Sequence, residues 1–259
     1  KAWNPFPIGD GQKLSLRVHT NGDYYNAVSL SFTEPWLGGK KPNALSVGVY
    51  YSYQDDGFWN TSGQSEYHVG ILGGSVSLAT RLKWPDDYFT FVHGIAYQQY
   101  NVKNYSTLTA MPTGISNNIN YNFTIARNSV DQLIYPRQGS DVSLQAQMTF
   151  PYSLVNGKDY SNLTSQERYK WLEYYKVNLR AAWYFNLFDD LVVSTRARFG
   201  FLGQYNSNVG YSPFERFYVG GDGLTGYNLD GRELVALRGY NESSLSPNGG
   251  GMVFDKYTM

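Results

Sequence analysis

The chain has no cysteine among its 259 residues, so it holds no disulfide framework and no thiolate metal site. Histidine is nearly absent too. His19, His68 and His93 lie far apart without HExxH spacing, and no GxSxG motif or Cys-His pair occurs, which leaves metal-dependent and nucleophilic catalysis without support. An excess of one charge is also missing: 21 basic residues balance 21 acidic ones, and nothing global invites nucleic acid. No run approaches the roughly 20 apolar residues of a membrane-spanning helix, and no basic-then-apolar signal peptide opens at Lys1. The string Gly221-Asp222-Gly223-Leu224-Thr225-Gly226 does satisfy GxGxxG. It is followed by the turn sequence Tyr227-Asn228-Leu229-Asp230-Gly231, where a dinucleotide site needs a helix, so no cofactor is expected.

What the chain has is aromatic mass. Aromatic residues make up 17% of it, with 24 Tyr and 14 Phe, while the mean hydropathy is too polar for a bundle of membrane helices. A transmembrane β-barrel reconciles the two, because only every second strand residue must be apolar and aromatics gather at both membrane interfaces. The alternation is there. In 141–150, Val142, Leu144, Ala146, Met148 and Phe150 interleave with Asp141, Ser143, Gln145, Gln147 and Thr149. The same period of two runs through 13–19, 72–84 and 118–125. About ten strands are predicted, at 12–20, 24–33, 44–54, 67–83, 88–103, 117–128, 140–150, 171–186 and 190–203, with a last one beginning near 251. Several reach the roughly 9 to 11 residues that cross a bilayer at a tilt.

Connections alternate in kind. Short turns are expected at 34–39, 84–87, 135–139 and 186–190, and longer polar segments at 54–66, 103–117, 151–170 and 204–250, the asymmetry of an outer-membrane barrel. Asn4-Pro5-Phe6, Glu34-Pro35-Trp36 and Ile134-Tyr135-Pro136 echo one another ahead of new strands, marking the hairpin period. The polar phase of the strands carries Arg17, Arg81, Lys83, Lys176, Arg180, Arg196 and Arg198, read as lining an aqueous lumen of mixed charge and loop contacts. Trp84, Trp183, Phe185, Phe199 and Phe201 are read as interface girdle. The segment 204–250 exceeds the roughly 12 to 15 residues usual for a connection without regular structure, and it is aromatic and Gly-rich, so it reads as an ordered, functional loop.

That loop carries a resemblance. The run Pro213-Phe214-Glu215-Arg216-Phe217-Tyr218-Val219-Gly220-Gly221, followed by Leu237-Arg238-Gly239-Tyr240, resembles the signature of the BamA family of outer-membrane assembly factors. Arg127-Asn128-Ser129 through Tyr135-Pro136-Arg137-Gln138-Gly139-Ser140, and Phe32-Thr33-Glu34-Pro35-Trp36-Leu37, are similar to turns of that family. The insertion from Asp222 to Ala236 resembles Bacteroidota versions. The resemblance implies an all-β fold, an antiparallel transmembrane barrel of roughly sixteen strands of which residues 1–259 supply the third through twelfth, with POTRA domains and the remaining strands outside this sequence. It further implies an insertase rather than an enzyme, resident in the outer membrane and working on nascent β-barrel clients with accessory lipoproteins. The functional loop would fold into the lumen with Arg238 as a clamp, Gly239 permitting close approach, and Leu237, Tyr240, Phe217, Tyr218, Gly220 and Gly221 shaping it. A two-partner-secretion transporter and a solute porin remain open as alternatives, with a soluble β-sandwich further behind.

Overall fold

Side chains on a strand point alternately to two faces, so alternating runs must build a sheet with one apolar and one polar side. The computed structural model describes residues 11–22, 24–39, 42–55, 67–105, 110–188, 191–221, 229, 231–241, 253–254 and 256–258. Nine long strands follow one another: β1 (Lys13–Asn21), β2 (Tyr25–Glu34), β3 (Asn43–Asp55), β4 (His68–Arg81), β5 (Phe89–Lys103), β6 (Gly114–Asn128), β7 (Gly139–Thr149), β8 (Tyr175–Phe188) and β9 (Leu191–Gly203). Each pairs antiparallel with its neighbours in sequence order, and short β13 (Lys256–Thr258) pairs with β9 to complete a ten-stranded sheet. The expected strands therefore form, with the eighth starting at Tyr175 instead of 171. Residues 170–172 are drawn off to the top of β6, where Asn117 donates to Lys170 O at 2.8 Å and Leu172 donates to Asn117 O at 2.9 Å.

Register converts the alternation into continuous rows. Leu14, Phe32, Val47, Val76, Ile95, Tyr121, Met148 and Tyr175 stand opposite one another across eight strands, one unbroken apolar line on the outer face. The neighbouring inner row is Ser15, Ser31, Gly48, Ser75, Ala96, Asn120 and Thr149. Leu16, Val18, Val49, Leu72, Val76 and Ile95 are each at least half exposed, an extent of bare aliphatic surface that a water-soluble monomer does not carry and a lipid-facing wall requires. Tyr175 lies flat over Gly203, whose missing side chain is required, since a Cβ there would stand 2.1 Å from the tyrosine ring. No helix among the described residues is long and apolar enough to cross a membrane. Val76→Arg, at the centre of the apolar row, is expected to cost about 2–4 kcal/mol in a bilayer, against little for Ser75→Arg on the inner face. Urea titration of the liposome-folded protein reads the difference, and equal costs would remove the assignment of faces.

At one end the turns are short: 35–42, 82–88, 129–138 and 189–190. Arg127 staples two of them, its Nε to Asp86 Oδ2 at 2.9 Å and its Nη1 to Ser129 and Ser140 at 2.8 and 2.7 Å. Lys83, expected on β4, falls with Trp84 in the turn after Arg81, where the strand has ended. At the other end lie the long segments. The 150–174 loop contains two short helices that the period-two reading passes over, α1 (Tyr152–Val155) and α2 (Ser165–Arg168). The long loop after β9 has regular structure of its own as well: β10 (Phe217–Val219) pairs parallel with β11 (Glu233–Val235) and antiparallel with β12 (Val253–Phe254). The first hairpin echo at 4–6, the 56–66 connection, residues 222–226 of the GxGxxG string and the start of the last strand at 251 lie outside the described residues.

Candidate functional site

On the inner face near the long-loop end, the polar phase is interrupted. Val69 and Ile71 of β4, Tyr100 and Val102 of β5 and Leu202 of β9 occupy positions where an aqueous wall would carry polar groups, and all are buried. They are covered from above. Phe214 and Phe217, 0% exposed, come from the loop after β9, and Leu172 and Tyr174, also 0% exposed, come from the loop after β7. Phe214 stacks on Tyr100 with ring centroids 4.2 Å apart. The inner face is thus mixed: small and polar at the turn end, sealed by an apolar plug at the loop end.

Beneath the plug runs a polar network. Lys176 of β8 is buried, and its Nζ lies 3.3 Å from Glu215 Oε2 and 3.5 Å from Glu233 Oε2, with the face of the Phe217 ring 4.9 Å away. Arg180 and Asn178, further along β8, hold Glu233 at 2.9 and 2.8 Å. Two loop carboxylates are therefore met by two wall cations, so the buried charges are paired as burial demands. Glu215 also accepts from the Tyr100 hydroxyl at 3.4 Å. The chain continues across the wall: Tyr100 shares its one hydroxyl proton between Glu215 and Gln98 Oε1, 3.2 Å away, Gln98 donates to Tyr50 at 2.6 Å, and Asn118 donates to Gln98 at 3.0 Å and to the Tyr174 hydroxyl at 2.9 Å. Burial, reinforced by the Glu215 charge, pushes the Tyr174 phenol well above its ordinary value, against the opposing effect of the Asn118 bond.

The backbone of Glu215 is strained, with φ at +65°, a region that costs a residue with a Cβ about 1 kcal/mol or more and persists where surrounding contacts hold it. Gly231 closes the site from the other side, because a Cβ there would stand 2.6 Å from Glu215 Oε1.

The two halves of the loop signature meet in space. Gly220 donates to Val235 O at 3.0 Å, Gly221 donates to Tyr240 O at 2.9 Å, and Leu237 donates to Gly221 O at 3.2 Å. Gly220 and Gly221 have φ of +119° and +76°, conformations that residues with a Cβ resist, which is why this junction is built from glycine. Of the residues expected to shape the site, Phe217 is sealed in the plug, Tyr218 is half-buried against the Arg232 guanidinium 4.2 Å from its ring, and Leu237 is half-buried. Arg238, Gly239 and Tyr240 form an exposed turn in which Tyr240 donates to Leu237 O at 3.3 Å, and Arg238 makes no ion pair with a described residue.

Among the described residues, the loop is also attached by groups of the opposite charge to Arg238. Its carboxylates, Glu215 and Glu233, grip wall cations. Lys176 and Arg180 stood among the inward cations in the sequence, and Glu215 stood inside the signature, but Lys176 meets Glu215 across 39 residues and Arg180 meets Glu233 across 53, and nothing local announces either pair. Arg17, Arg196 and Arg198 remain exposed on the inner face. The three histidines each sit against an aromatic ring on separate strands, His19 by Tyr25, His68 by Tyr53 and His93 by Phe91.

Two comparisons bear on this arrangement. The model of the Omp85 superfamily domain matches residues 8–256. Among solved structures, BamA from Haemophilus ducreyi lacking POTRA domains 1-3 is similar at 18% identity with a TM-score of 0.58, over 83% of this chain and 40% of that one. At that identity the likeness is one of fold, and the chain spans less than half the length of the relative it matches.

Proposed function

The chain belongs to the Omp85 superfamily, and from that premise we propose that it supplies, in the outer membrane of a Gram-negative bacterium, barrel strands and the lumen loop of a BamA-like insertase for outer-membrane β-barrel proteins. The observation that carries the reading is the union of Gly220-Gly221 with Leu237 through Tyr240 by backbone hydrogen bonds, on a loop anchored to the inner wall. A solute pore has no use for a wall sealed at its outer end by Phe214, Phe217, Leu172 and Tyr174. In an insertase the sealed plug keeps the membrane tight while the work is done at the rim. There, unpaired strand edges of a client find a template and a locally perturbed bilayer lowers the barrier to entry. Partners in this account are the lipid bilayer, nascent barrel chains and accessory assembly lipoproteins.

The test uses the full-length parent in liposomes with a urea-unfolded outer-membrane client, followed by protease protection and heat-modifiable gel mobility, with solute leakage recorded in parallel. Accelerated client folding is expected. Leakage without client folding would transfer the assignment to a pore, and passage of a secreted chain into the lumen of the liposome to a transporter. Within the same assay, Arg238→Ala is expected to slow client folding about tenfold, the equivalent of one charge-assisted hydrogen bond formed with the rest of the barrel. Arg198→Ala, exposed on the inner wall, is expected to change it little. Equal, negligible effects would remove the clamp role from Arg238.

A further inference from the structure

The outer flank of the long-loop end holds a cleft of about 530 Å³ that the insertase reading does not use. Its floor continues the lipid-facing surface. Phe150 and Trp171 share the outward phase of β7 and of the β6 edge, and Tyr152 bridges them, 5.2 Å from each ring centroid. Its lining is also cationic: Lys158 and Lys170 are exposed, and Arg168 donates Nη2 to Leu163 O at 3.3 Å while its Nε has no hydrogen-bond partner. One carboxylate opposes them. Glu167 lines the cleft too, but its oxygen is engaged by the Thr164 hydroxyl at 2.8 Å in the cap of α2. That bond, with the Thr164 backbone N–H, holds its carboxyl below the ordinary value; slight burial opposes this, and the neighbouring Lys158 charge adds to it.

Aromatic rings in the outward phase of the sheet and three cations lining the same cleft match one kind of molecule: an anionic headgroup borne on acyl chains. The cleft lies on the side of the longer loops, which in outer-membrane barrels is the cell exterior. Its size suits a sugar-sized group rather than a bare phosphate, and flat rings are apt platforms for the apolar faces of sugar rings. We infer that this cleft binds the phosphorylated saccharide headgroup of an outer-leaflet glycolipid, with Phe150, Tyr152 and Trp171 beneath the sugar and Lys158, Arg168 and Lys170 on its phosphates. The inference rests on the membrane location of the fold and is independent of insertase activity.

The experiment measures equilibrium binding of lipid A to the full-length protein in mixed micelles, with phosphatidylglycerol, the deacylated phosphorylated disaccharide and inorganic phosphate as competitors. The double variant Lys158→Gln/Lys170→Gln is expected to bind lipid A roughly tenfold or more weakly, each lysine at an anionic surface being worth about a factor of five. Trp171→Ala should weaken it as well, with heat-modifiable mobility unchanged in both. Unaltered binding by the variants would overturn the site. Equal competition by phosphatidylglycerol would overturn the saccharide, and equal competition by the deacylated disaccharide or inorganic phosphate would overturn the lipid.

Discussion

Lys176→Met is expected to release the lumen loop from the wall. Its ammonium is 6% exposed and faces two carboxylates that are 12% and 18% exposed, so the substitution leaves Glu215 and Glu233 close together with Arg180 as their remaining described cation. Removing one member of a buried pair typically costs about 3–5 kcal/mol, most of it from the uncompensated charge left behind. Trypsin provides the readout in the folded protein, because Arg216 and Arg232 flank the two glutamates and become cleavable once the loop detaches. The discriminating control is the triple variant Lys176→Met/Glu215→Gln/Glu233→Gln, which removes the stranded charges and should recover most of the protection. If Lys176→Met alone leaves the loop as resistant as the parent, the clamp is not electrostatic.

Phe214→Ala should be comparably damaging for a different reason. The ring is fully buried and stacked on Tyr100, so truncation removes its transfer free energy, leaves a cavity and forfeits the ring pair, together about 3–5 kcal/mol. Phe185→Ala is the informative comparison: that ring is 53% exposed on the outer face, where lipid fills the space it vacates. Chemical denaturation of the liposome-folded proteins should rank Phe214→Ala well below Phe185→Ala. Equal losses would mean that the loop is held by its charges alone, and the apolar plug would lose its role.

The strands were legible because lipid imposes one rule along their whole length. Leu14 to Tyr175 form a row in space because every strand obeyed the same period in sequence, and no tertiary contact was free to override it. Where neighbouring loops bear on the strand, legibility failed: residues 172–174 run against the phase of the eighth strand, with Leu172 and Tyr174 apolar where Lys176, Asn178 and Arg180 are polar, because Leu172 and Tyr174 are spent inside the plug and Glu173 accepts from Ser153, 20 residues earlier. The second helix had a local sign, since Thr164 and Glu167 are spaced as a capping box, whereas the first depends on that distant Glu173 contact. The plug also left a trace. Val69 and Ile71, then Tyr100 and Val102, are apolar where the alternation calls for polar residues, and such a break in phase marks where something apolar must land. The signature glycines and Phe217 were legible as a motif whose parts meet in space, but the acidic grip on Lys176 was not, because a side-chain pair 39 residues apart carries no period.

The parallel pairing of β10 and β11 separates two properties of the loop that a hairpin would have tied together. Antiparallel partners joined by a turn feel every residue added between them, since an extra residue shifts their register. Parallel partners must in any case be linked by a chain that returns to the starting end before the second strand begins. The meeting of Gly220 and Gly221 with Val235, Leu237 and Tyr240 is meanwhile set by the strands themselves and by their own backbone bonds. The number of residues between the two strands, and what they display, can therefore change without disturbing the junction, which leaves this stretch of sequence freer to vary than the glycines beside it.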